Sequence, residues 1–593
     1  MKQGVAFPDY IKTEKPSKRS GEESFWRERP MRGFLLIVFL FAAVSILLIR
    51  LFDLQLIKGS YYRLLSESNR TRTSIIHSPR GIIFDRNGIP LVFNIPGFRK
   101  TVGEKTQLLT REQALPLLAK NEALEVDSLR QYPYKDSFAH VLGYIGQISK
   151  EELVKNVFEN RRGGDLVGKT GLERTYEEKL VGIDGKKLSE VDALGNTVRT
   201  LGKVDPHPGE DIKTNLDAKL QLAAFEAFAD IKKGAIIVST PKGEILALIS
   251  KPTFDSNLFT LGDYYRTASS SAYQTVSQLL LDDRNQPLLN RAIAGTYPPG
   301  STFKLITAAA SLEQKIIDEN FQIEDTGVIA IGPFSFSNWY FTQYGKKDGF
   351  LNVVSAIKRS NDVFFYKLAE LVGVEKLSAM AEKFGLGRRL GIDLEDEAKG
   401  IVPTSSWKEN TIGEPWFLGD TYHYGIGQGY LLATPLQVNS WTQTIANGGT
   451  VYQPHFLKNS EFRIQSSEFL NKKTISLIRE GMIASCSPGG VAWPLFEFRI
   501  QNSKFKIDGK NFLQVPQATF SAQFKNYRKV AIACKTGTAQ HGGKEDMPHA
   551  WITLFAPAYD PQIVVTVLAE SSGEGSNIAA PIAKKILEEW FGR

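Results

Sequence analysis

The 593-residue sequence predicts a mixed α/β (α+β) protein in which helices cover one sheet and a single membrane helix lies near the N-terminus. Apolar runs separated by turns occur over residues 234–250 and again over residues 529–569. Between them, helical apolar periodicity dominates residues 301–388. Strands that come first and last around a helical middle favour one sheet assembled from both ends of this body.

The membrane helix is predicted from an uncharged apolar run between Gly33 and Ile49, which further apolar residues extend to Ile57. At about 1.5 Å per residue, the run is just short of a hydrocarbon core of roughly 30 Å. No small-x-small cleavage site follows it, so we expect an anchor rather than a removed signal. Lysines and arginines precede it, and the positive-inside rule then predicts a cytoplasmic tail (1–32), an anchor with juxtamembrane segment (33–57) and a single-pass protein of the cell (inner) membrane with an extracytoplasmic body.

Composition indicates a folded chain but selects no partner. The sequence is 42% apolar and 23% charged, and it is longer than one ordinary domain. A net charge of +8 suits an anionic envelope surface as well as nucleic acid. The seven histidines are scattered, without a metal-ligand pattern, so a metal mechanism has no support. Cys486 and Cys534 could pair outside the membrane, whereas Cys534 in the run VAIAC is also explained as a small buried hydrophobe.

Residues 58–215 are rich in turns and form the first predicted extracytoplasmic domain. A short helix is predicted over Leu172–Leu180. The stretch Gly163–Thr170 (GGDLVGKT) matches the phosphate-loop pattern GxxxxGK(S/T), which needs a buried strand before it. Residues 159–162 directly ahead are too polar for such a strand, so we expect no nucleotide site. From about residue 216 the pattern of apolar residues changes. A predicted helix over Asp217–Lys232 leads into a predicted β-hairpin with a Pro-Lys-Gly turn.

A nucleophile is predicted at Ser301, which follows Tyr-Pro-Pro-Gly and precedes Lys304 by three residues. Pro-Pro-Gly breaks the preceding structure and leads into a helix, on which residues three apart share a face. The Lys304 amine is therefore expected beside the Ser301 hydroxyl, which needs a base to attack at neutral pH. The same Ser-x-x-Lys tetrad begins at Ser355, Ser405 and Ser503, so the tetrad alone does not identify the site.

Two further elements follow the Ser301 tetrad in chain order. Ser360-Asn361-Asp362 precedes an apolar-periodic helix, and Lys535-Thr536-Gly537 follows an apolar run. Another Lys-Thr-Gly, at Lys169–Gly171, precedes the nucleophile and is set aside. Ser-x-x-Lys, then Ser-x-Asn or Ser-x-Asp, then Lys-Thr-Gly is the signature of penicillin-binding proteins and related β-lactamases.

With these motifs, the sequence resembles the class B penicillin-binding proteins, in particular their cell-elongation branch. The blocks NRAIAGTYPPGSTFK, SNDVFFYKLAE, CKTGTAQ and HAWITLFAPAYDP resemble the transpeptidase domain, and RGIIFDRNG, GLERTYEEKLVGIDG and HVLGYIG resemble the pedestal. FDSNLF and PLLNRAI favour the elongation branch over the division branch. The resemblance implies the penicillin-binding transpeptidase fold over 216–593, a mainly antiparallel sheet covered by helices, and an elongated mixed pedestal over 58–215.

The resemblance also implies roles for the first two motifs. Ser301 would be acylated by the penultimate D-alanine of a stem peptide, with Lys304 as its base. Burial near a second cation such as Lys535 would depress the pKa of Lys304, which a lysine base requires. Ser360 would relay the proton to the leaving D-alanine.

The third motif is assigned to substrate binding. Lys535, Thr536 and Thr538 would bind the terminal carboxylate, and Gly537 would let substrate approach the strand edge. Backbone N–H groups of Ser301 and Thr538 would form the oxyanion hole.

The sequence departs from many relatives in three places. Asp362 stands where many members have asparagine, although the elongation branch resembles this chain in using aspartate; this carboxylate could pair with either lysine. Cys534 replaces a glycine common before Lys-Thr-Gly. Only a short segment separates Asn94 from Arg130, where elongation members carry a longer insertion, so we expect a reduced head.

The implied protein is a cofactor-free serine DD-transpeptidase that cross-links peptidoglycan and is acylated by β-lactams. Its substrates would be stem peptides, a D-Ala-D-Ala donor and an amine acceptor, and it would bind no nucleic acid. No glycosyltransferase domain fits between the anchor and residue 215, so the resemblance implies a polytopic membrane glycosyltransferase as partner, contacted through anchor and pedestal. The alternatives are a division-type transpeptidase, a β-lactam sensor or hydrolase of the same fold, and a non-catalytic scaffold that activates a glycosyltransferase.

Overall fold

The computed structural model describes residues 30–102, 105–120, 122–155, 157–158, 161–192, 197–261, 265–268, 271–458, 464–501, 527–542 and 546–592. The predicted cytoplasmic tail up to residue 29 and the tetrad at Ser503 lie outside these ranges.

The helices are named in chain order. They are α1 (Pro30–Phe52), α2 (Gly59–Arg70), α3 (Arg111–Leu118), α4 (Ala139–Leu142), α5 (Lys150–Val154), α6 (Gly171–Thr175), α7 (Glu177–Leu180), α8 (Ala218–Ala227), α9 (Asn257–Thr260), α10 (Val276–Leu280), α11 (Lys304–Glu313), α12 (Trp339–Tyr344), α13 (Val353–Arg359), α14 (Asp362–Val372), α15 (Val374–Lys383), α16 (Ser405–Ile412), α17 (Leu418–Gly425), α18 (Pro435–Asn447), α19 (Lys472–Ser485) and α20 (Ala579–Phe591). Single 3₁₀ turns are formed by Lys135–Ser137, Gly300–Thr302 and Trp493–Leu495.

The strands are named in the same way. They are β1 (Thr71–Ile76), β2 (Ile83–Phe84), β3 (Pro90–Val102), β4 (Lys105–Leu109), β5 (Glu125–Gln131), β6 (Ile145–Gln147), β7 (Leu166–Gly168), β8 (Gly185–Val191), β9 (Thr197–Val204), β10 (Ile212–Lys213), β11 (Gly234–Ser239), β12 (Ile245–Lys251), β13 (Ile323–Glu324), β14 (Val328–Ile331), β15 (Phe334–Ser337), β16 (Phe350–Leu351), β17 (Val451–Tyr452), β18 (Ile464–Ser466), β19 (Arg499–Gln501), β20 (Tyr527–Lys529), β21 (Ala533–Ala539), β22 (His549–Ala556) and β23 (Ile563–Ala569).

The first of two compact units holds α1, α2 and the sheet β1-β8-β9, and it combines residues up to Ile75 with Lys186–Val204. Helix α1 continues through a π-helical turn, Asp53–Ile57. The stretch Gly33–Ile57 is long and apolar enough to cross a membrane, as the sequence predicts. In the sheet, Glu190 accepts ion pairs from Arg70 and Arg199 at 2.7 and 2.6 Å.

The second unit, Ile76–Gly185 with Asp205–Arg593, begins with the sheet β10-β2-β3-β4, to which β5 adds by pairing with β3. The short segment between Asn94 and Arg130, for which the sequence predicts a reduced head, contains most of β3, then β4, α3 and most of β5. The predicted helix over Leu172–Leu180 is present as α6 and α7.

A buried ion network holds α6 and α7 to the strands beside them. Arg80 Nη2 lies 2.8 Å from carboxylate oxygens of both Glu173 and Glu177, and Arg130 Nε lies 2.6 Å from Glu173. Arg130 and Glu173 are fully buried, at 1% and 0% exposure. Buried charges are tolerated only when paired, so this network depends on each of its members.

The main sheet of the second unit is antiparallel, with the order β12-β11-β23-β22-β21. The predicted hairpin, β11 and β12, lies at one end, and the C-terminal strands complete the sheet, as a sheet assembled from both ends requires. Successive side chains of a strand point to opposite faces. Trp551 and Phe555 accordingly pack in the core around α11, α14 and α18, whereas Ile552 and Leu554 pack in the core with α8 and α20.

The structure corrects three details of the sequence prediction. The helical region 301–388 also contains the strands β13 to β16, paired as β14–β15 and β13–β16. The helix expected over Asp217–Lys232 ends at Ala227. The third motif lies inside a strand rather than after one, because Gly537 pairs with Trp551 in the β21–β22 ladder and this pairing keeps the motif extended.

Cys486 and Cys534 form a disulfide, with their Cα atoms 5.9 Å apart. It joins the C-terminal end of α19 to the residue directly before Lys535. Cys534 is also fully buried, and both half-cystines belong to the apolar core with α8 and α20. Of the two sequence interpretations, pairing with Cys486 is the one that the structure shows, and the buried position expected from the apolar run is present as well.

Candidate active site

Ser301 lies in the 3₁₀ turn that leads into α11. Gly300 has a left-handed φ of 54°, and its N–H donates to Gly427 O at 2.9 Å. A Cβ atom on Gly300 would lie 3.0 Å from Thr538 O, so the absence of a side chain lets this turn approach the third motif closely. The Pro-Pro-Gly sequence thus places the predicted nucleophile against β21.

Lys304 is the first residue of α11 and is fully buried. Its Nζ lies 2.6 Å from Asp362 Oδ1 and donates to Ser360 O at 2.7 Å, with Ser360 Oγ at 3.5 Å. The described contacts include no hydrogen bond between Lys304 and Ser301. The Lys304 amine, predicted to lie beside the Ser301 hydroxyl, makes its described polar contacts with Asp362 and Ser360, because a buried amine is stabilised by a carboxylate partner.

Ser360 connects the two predicted lysines. It has a left-handed backbone, φ 53° and ψ 37°, at the C-terminal end of α13. This conformation is costly for a residue with a side chain and is typical of functional sites. Its Oγ accepts from Lys535 Nζ at 2.7 Å and lies 3.5 Å from Lys304 Nζ, so one hydroxyl faces both amines.

Asp362 begins α14, but it is not the N-cap. Asn361 caps this helix, with its side-chain oxygen accepting from Phe364 N at 2.9 Å. The Asp362 carboxylate is thereby left for other partners, Lys304 on Oδ1 and the backbone N–H of Trp339 on Oδ2, at 2.9 Å. Phe364 and Phe365 are buried core residues.

Burial and charge act on both lysines. Burial lowers the pKa of Lys304, and the Asp362 carboxylate raises it only in part, so the pKa stays below its ordinary value. Burial, and then the charge of Lys304, lower the pKa of Lys535 well below its ordinary value, while Asp362 opposes them. The predicted depression of the Lys304 pKa is present, but its main cause is burial.

The residues predicted to bind substrate follow on β21. Thr536 is buried at 6% exposure and Gly537 is buried, whereas Thr538 is exposed. Among the described strands of the main sheet, β21 pairs only with β22 and therefore forms an edge. Gly537 has no side chain to fill the space beside Pro299 O and Thr302, where a Cβ would lie 3.1 Å from each. An extended peptide can pair with such an edge.

The structure brings every predicted site residue to one place, and it adds residues that the sequence analysis missed. Asn338, the residue before α12, and Trp339, the first residue of α12, contact Asp362, and Gln428 Nε2 donates to Thr538 O at 3.4 Å. No motif marks these residues, because their contacts arise only from packing.

Comparison with known proteins identifies the family. Residues 234–588 match the penicillin binding protein transpeptidase domain, and residues 120–214 match the penicillin-binding protein dimerisation domain. The chain is 31% identical to the peptidoglycan D,D-transpeptidase MrdA of Acinetobacter baumannii, over 94% of this chain and 87% of that protein. It is 30% identical to MrdA of Escherichia coli, over 99% and 96%. The chain belongs to the penicillin-binding protein transpeptidase family, which confirms the family and enzyme class predicted from the motifs.

Solved structures agree. The penicillin-binding protein PBP2 of Helicobacter pylori in complex with MreC has a TM-score of 0.70 and 29% identity, over 88% of this chain and 98% of that one. PBP2 of Pseudomonas aeruginosa in complex with WCK 5153 has a TM-score of 0.66 and 32% identity, over 88% and 96%. The predicted fold class, helices around an antiparallel sheet with one N-terminal apolar helix, is confirmed.

Proposed function

We propose that this protein is a serine-type peptidoglycan D,D-transpeptidase of cell-wall elongation and that Ser301 forms its acyl-enzyme. One observation carries the assignment of the site. The hydroxyl of Ser360 faces the amines of both Lys304 and Lys535, so the three sequence motifs meet at one buried point. The peptidoglycan D,D-transpeptidases to which the chain is similar supply the substrate class.

In the proposed reaction, Ser301 Oγ attacks the carbonyl of the penultimate D-alanine, and its proton passes to Lys304. Only the neutral amine can accept that proton, and the burial that lowers the pKa of Lys304 favours this form. Ser360 then passes the proton to the departing D-alanine, since its hydroxyl lies within reach of Lys304. An acceptor amine afterwards attacks the ester carbon, forms the cross-link and releases Ser301.

The third motif would hold the donor peptide. The peptide would lie along the β21 edge, with its terminal carboxylate near Lys535, Thr536 and Thr538. The backbone N–H groups of Ser301 and Thr538 would receive the oxyanion, where loss of one donor typically costs about 3–4 kcal/mol. A β-lactam presents the same kind of carbonyl in its ring and would acylate Ser301 irreversibly.

The anchor and the partner complete the proposal. We assign Gly33–Ile57 to a single span of the cell membrane, with the positively charged N-terminal tail in the cytoplasm and the body outside. The partner would be a polytopic membrane glycosyltransferase contacted through anchor and pedestal. A similar solved structure is described as coordinating polymerisation and crosslinking in a peptidoglycan synthase complex, which supports this kind of partner. The predicted domain boundaries at residues 58 and 216 belong to the same proposal.

Replacing Ser301 by alanine is expected to abolish covalent labelling by a fluorescent penicillin, because the proposed acyl-enzyme forms on the Ser301 hydroxyl. The matched control is Ser405→Ala, which removes the serine of another Ser-x-x-Lys tetrad at the start of α16. Labelling is measured on denaturing gels with the full-length protein in detergent. Unchanged labelling of Ser301→Ala would contradict the assignment.

Depletion of this protein in cells should cause the cells to become round, whereas filamentation would indicate the division-type enzyme.

Asp362→Asn is expected to move the acidic limb of the pH–acylation profile to lower pH, by about one unit. The Asp362 charge opposes the effect of burial on Lys304, so its removal lowers the pKa of that lysine further. A larger fraction of Lys304 is then neutral at a given acidic pH. The profile is measured as the rate of penicillin acylation from pH 4 to 9. Asp420→Asn, which removes the carboxylate 2.8 Å from the amine of buried Lys408, should leave the limb in place. A shift to higher pH in Asp362→Asn would refute the expectation.

A further inference from the structure

A polar network of five residues, which we term the Asp362 bracket, lies behind the Ser360–Asp362 motif. It consists of Asp325, Asn338, Asp348, Arg359 and Asn361. Asp325 and Asn338 are buried, at 2% and 0% exposure. None of the five belongs to the substrate-binding strand β21, and their hydrogen bonds connect the segment 325–348, which contains β14, β15 and α12, to the end of α13 and the start of α14.

Asn338 uses both ends of its amide within the bracket. Its Oδ1 accepts from Asp362 N at 3.1 Å, and its Nδ2 donates to Asp325 Oδ2 at 2.9 Å. Asp325 also accepts from Gly327 N at 2.8 Å and from Asp348 N at 2.9 Å. Asp325 is thus the fixed point that sets the position of Asn338 and of the backbone that follows it.

The residue after Asn338 reaches the active-site carboxylate. Trp339 N donates to Asp362 Oδ2 at 2.9 Å, while Lys304 Nζ lies on Oδ1 at 2.6 Å. A carboxylate held at both oxygens cannot rotate about its Cβ–Cγ bond without losing a hydrogen bond. The Trp339 N–H therefore helps to fix the plane of the carboxylate that pairs with Lys304.

A second set of hydrogen bonds in the bracket involves Asp348, at the end of the same segment. Asp348 Oδ1 accepts from Arg359 Nε at 2.9 Å, and its Oδ2 accepts from Asn361 Nδ2 at 3.1 Å. Arg359 and Asn361 flank Ser360, the residue with the left-handed backbone. The hydrogen bonds of the bracket thus connect both neighbours of Ser360, and Asp362 itself, to the segment 325–348.

We propose that Asn338 and Asp325 are positioning residues of the transpeptidase reaction: they orient the Asp362 carboxylate and thereby hold Lys304 at the junction of the three motifs. This inference rests on the proposed function. Neither residue touches Ser301 or the substrate strand in the described contacts, so they act through Asp362. A cluster of buried acidic residues is by itself evidence only of local structure. Here the hydrogen bonds of the bracket lead to Asp362, whose carboxylate pairs with Lys304, the proposed base.

The charged and titratable groups around Asp362 determine the readout. They are Lys304 from α11, Lys535 from β21 and Tyr366 from α14, whose pKa burial raises and the Asp362 charge raises further. A misoriented Asp362 carboxylate loses its close contact with Lys304, and the amine then loses its proton at lower pH. Loss of the bracket should therefore resemble loss of the Asp362 charge, in the same direction and to a smaller extent.

The test compares pH profiles of penicillin acylation for Asn338→Ala and Asp325→Asn in the full-length protein. Both should move the acidic limb to lower pH by roughly half a unit, because the Asp362 carboxylate is retained but its contact with Lys304 weakens. In the Asp362→Asn background, Asn338→Ala should add no further shift, because the two residues act in series. Exchanging donor and acceptor in Asp325→Asn/Asn338→Asp rebuilds the side-chain contact and should move the limb back toward the wild type.

Asp318→Asn is the matched control, because Asp318 also accepts two backbone N–H groups, from Asn320 and Phe321 at 2.9 Å, but lies outside the bracket. Its profile should equal that of the wild type. An unshifted limb in Asp325→Asn, or additive shifts of Asn338→Ala and Asp362→Asn, would overturn the positioning role while leaving the proposed function intact. Absence of labelling in the wild type would overturn both. Asp325→Asn changes no volume and covers the case in which Asn338→Ala fails to fold.

Discussion

Replacing Lys304 by methionine is expected to lower the rate of penicillin acylation by about 10²- to 10⁴-fold, the range found when a general base is removed. Methionine keeps the unbranched stem but cannot accept the Ser301 proton. The contacts of Lys304 with Asp362 and Ser360 show that its amine is already held among the motif residues. The rate is measured with a fluorescent penicillin at pH 8 and expressed per folded molecule, determined from the circular dichroism spectrum.

The control for this prediction is another buried lysine of the same chain. Lys408 belongs to the Ser405 tetrad, is 1% exposed and lies 2.8 Å from Asp420. Lys408→Met removes a similar ion pair, so it reports the structural cost of losing a buried lysine without touching the proposed site. If Lys304→Met retained the acylation rate of Lys408→Met, Lys304 would not be the base.

Glu173→Ala is expected to lower the free energy of unfolding by about 3–5 kcal/mol, as is typical when one partner of a buried ion network is removed. Glu173 accepts Arg80 and Arg130 at 2.8 and 2.6 Å, and its loss leaves two buried guanidinium groups with one carboxylate fewer. Glu178→Ala on the neighbouring helix, α7, removes an exposed carboxylate and should change stability by less than about 0.5 kcal/mol. Chemical denaturation of the purified protein measures both variants.

The pH dependence gives this prediction a second readout. Burial raises the pKa of Glu173, but Arg130 and Arg80 outweigh burial and bring it below its ordinary value of 4.5. A carboxyl with a lowered native pKa stabilises the fold fully above its ordinary pKa, and this stabilisation is lost as pH falls through the lowered value. The difference between wild type and Glu173→Ala should therefore shrink in acid. A difference that grows as pH falls would show that Glu173 is not ionised in the native state.

Much of the fold and of the candidate site could be predicted because the signals are local. The apolar run Gly33–Ile49 is visible in a single segment, and so is the hairpin β11–β12 with its Pro-Lys-Gly turn. The motif triplets at Ser301, Ser360 and Lys535 specify their own chemistry, and their order distinguishes one tetrad from three others. The strands β13 to β16 were missed because each spans only two or four residues, too few to show an alternating apolar pattern.

Part of the site had no signal in the sequence. The spacing of Ser301 and Lys304 predicts a contact along one helix face, yet the amine is 2.6 Å from Asp362 on another helix. The spacing of two residues within one segment carries no information about a charged side chain that a distant segment places beside them. Asn338 likewise stands in an ordinary polar stretch, and its role follows only from its contact with Asp362.

The family, the apolar N-terminal helix, the three motifs and the residues proposed for acyl transfer could be recognised in the sequence, because they depend on residue type and on short-range periodicity. The contact of Lys304 with Asp362, the position of Ser360 between both lysines and the disulfide from α19 to the strand of Lys535 are visible only in the folded protein. The physical reason is the same in each case. Burial makes every charge seek a partner, and which partner lies within reach depends on how distant segments pack.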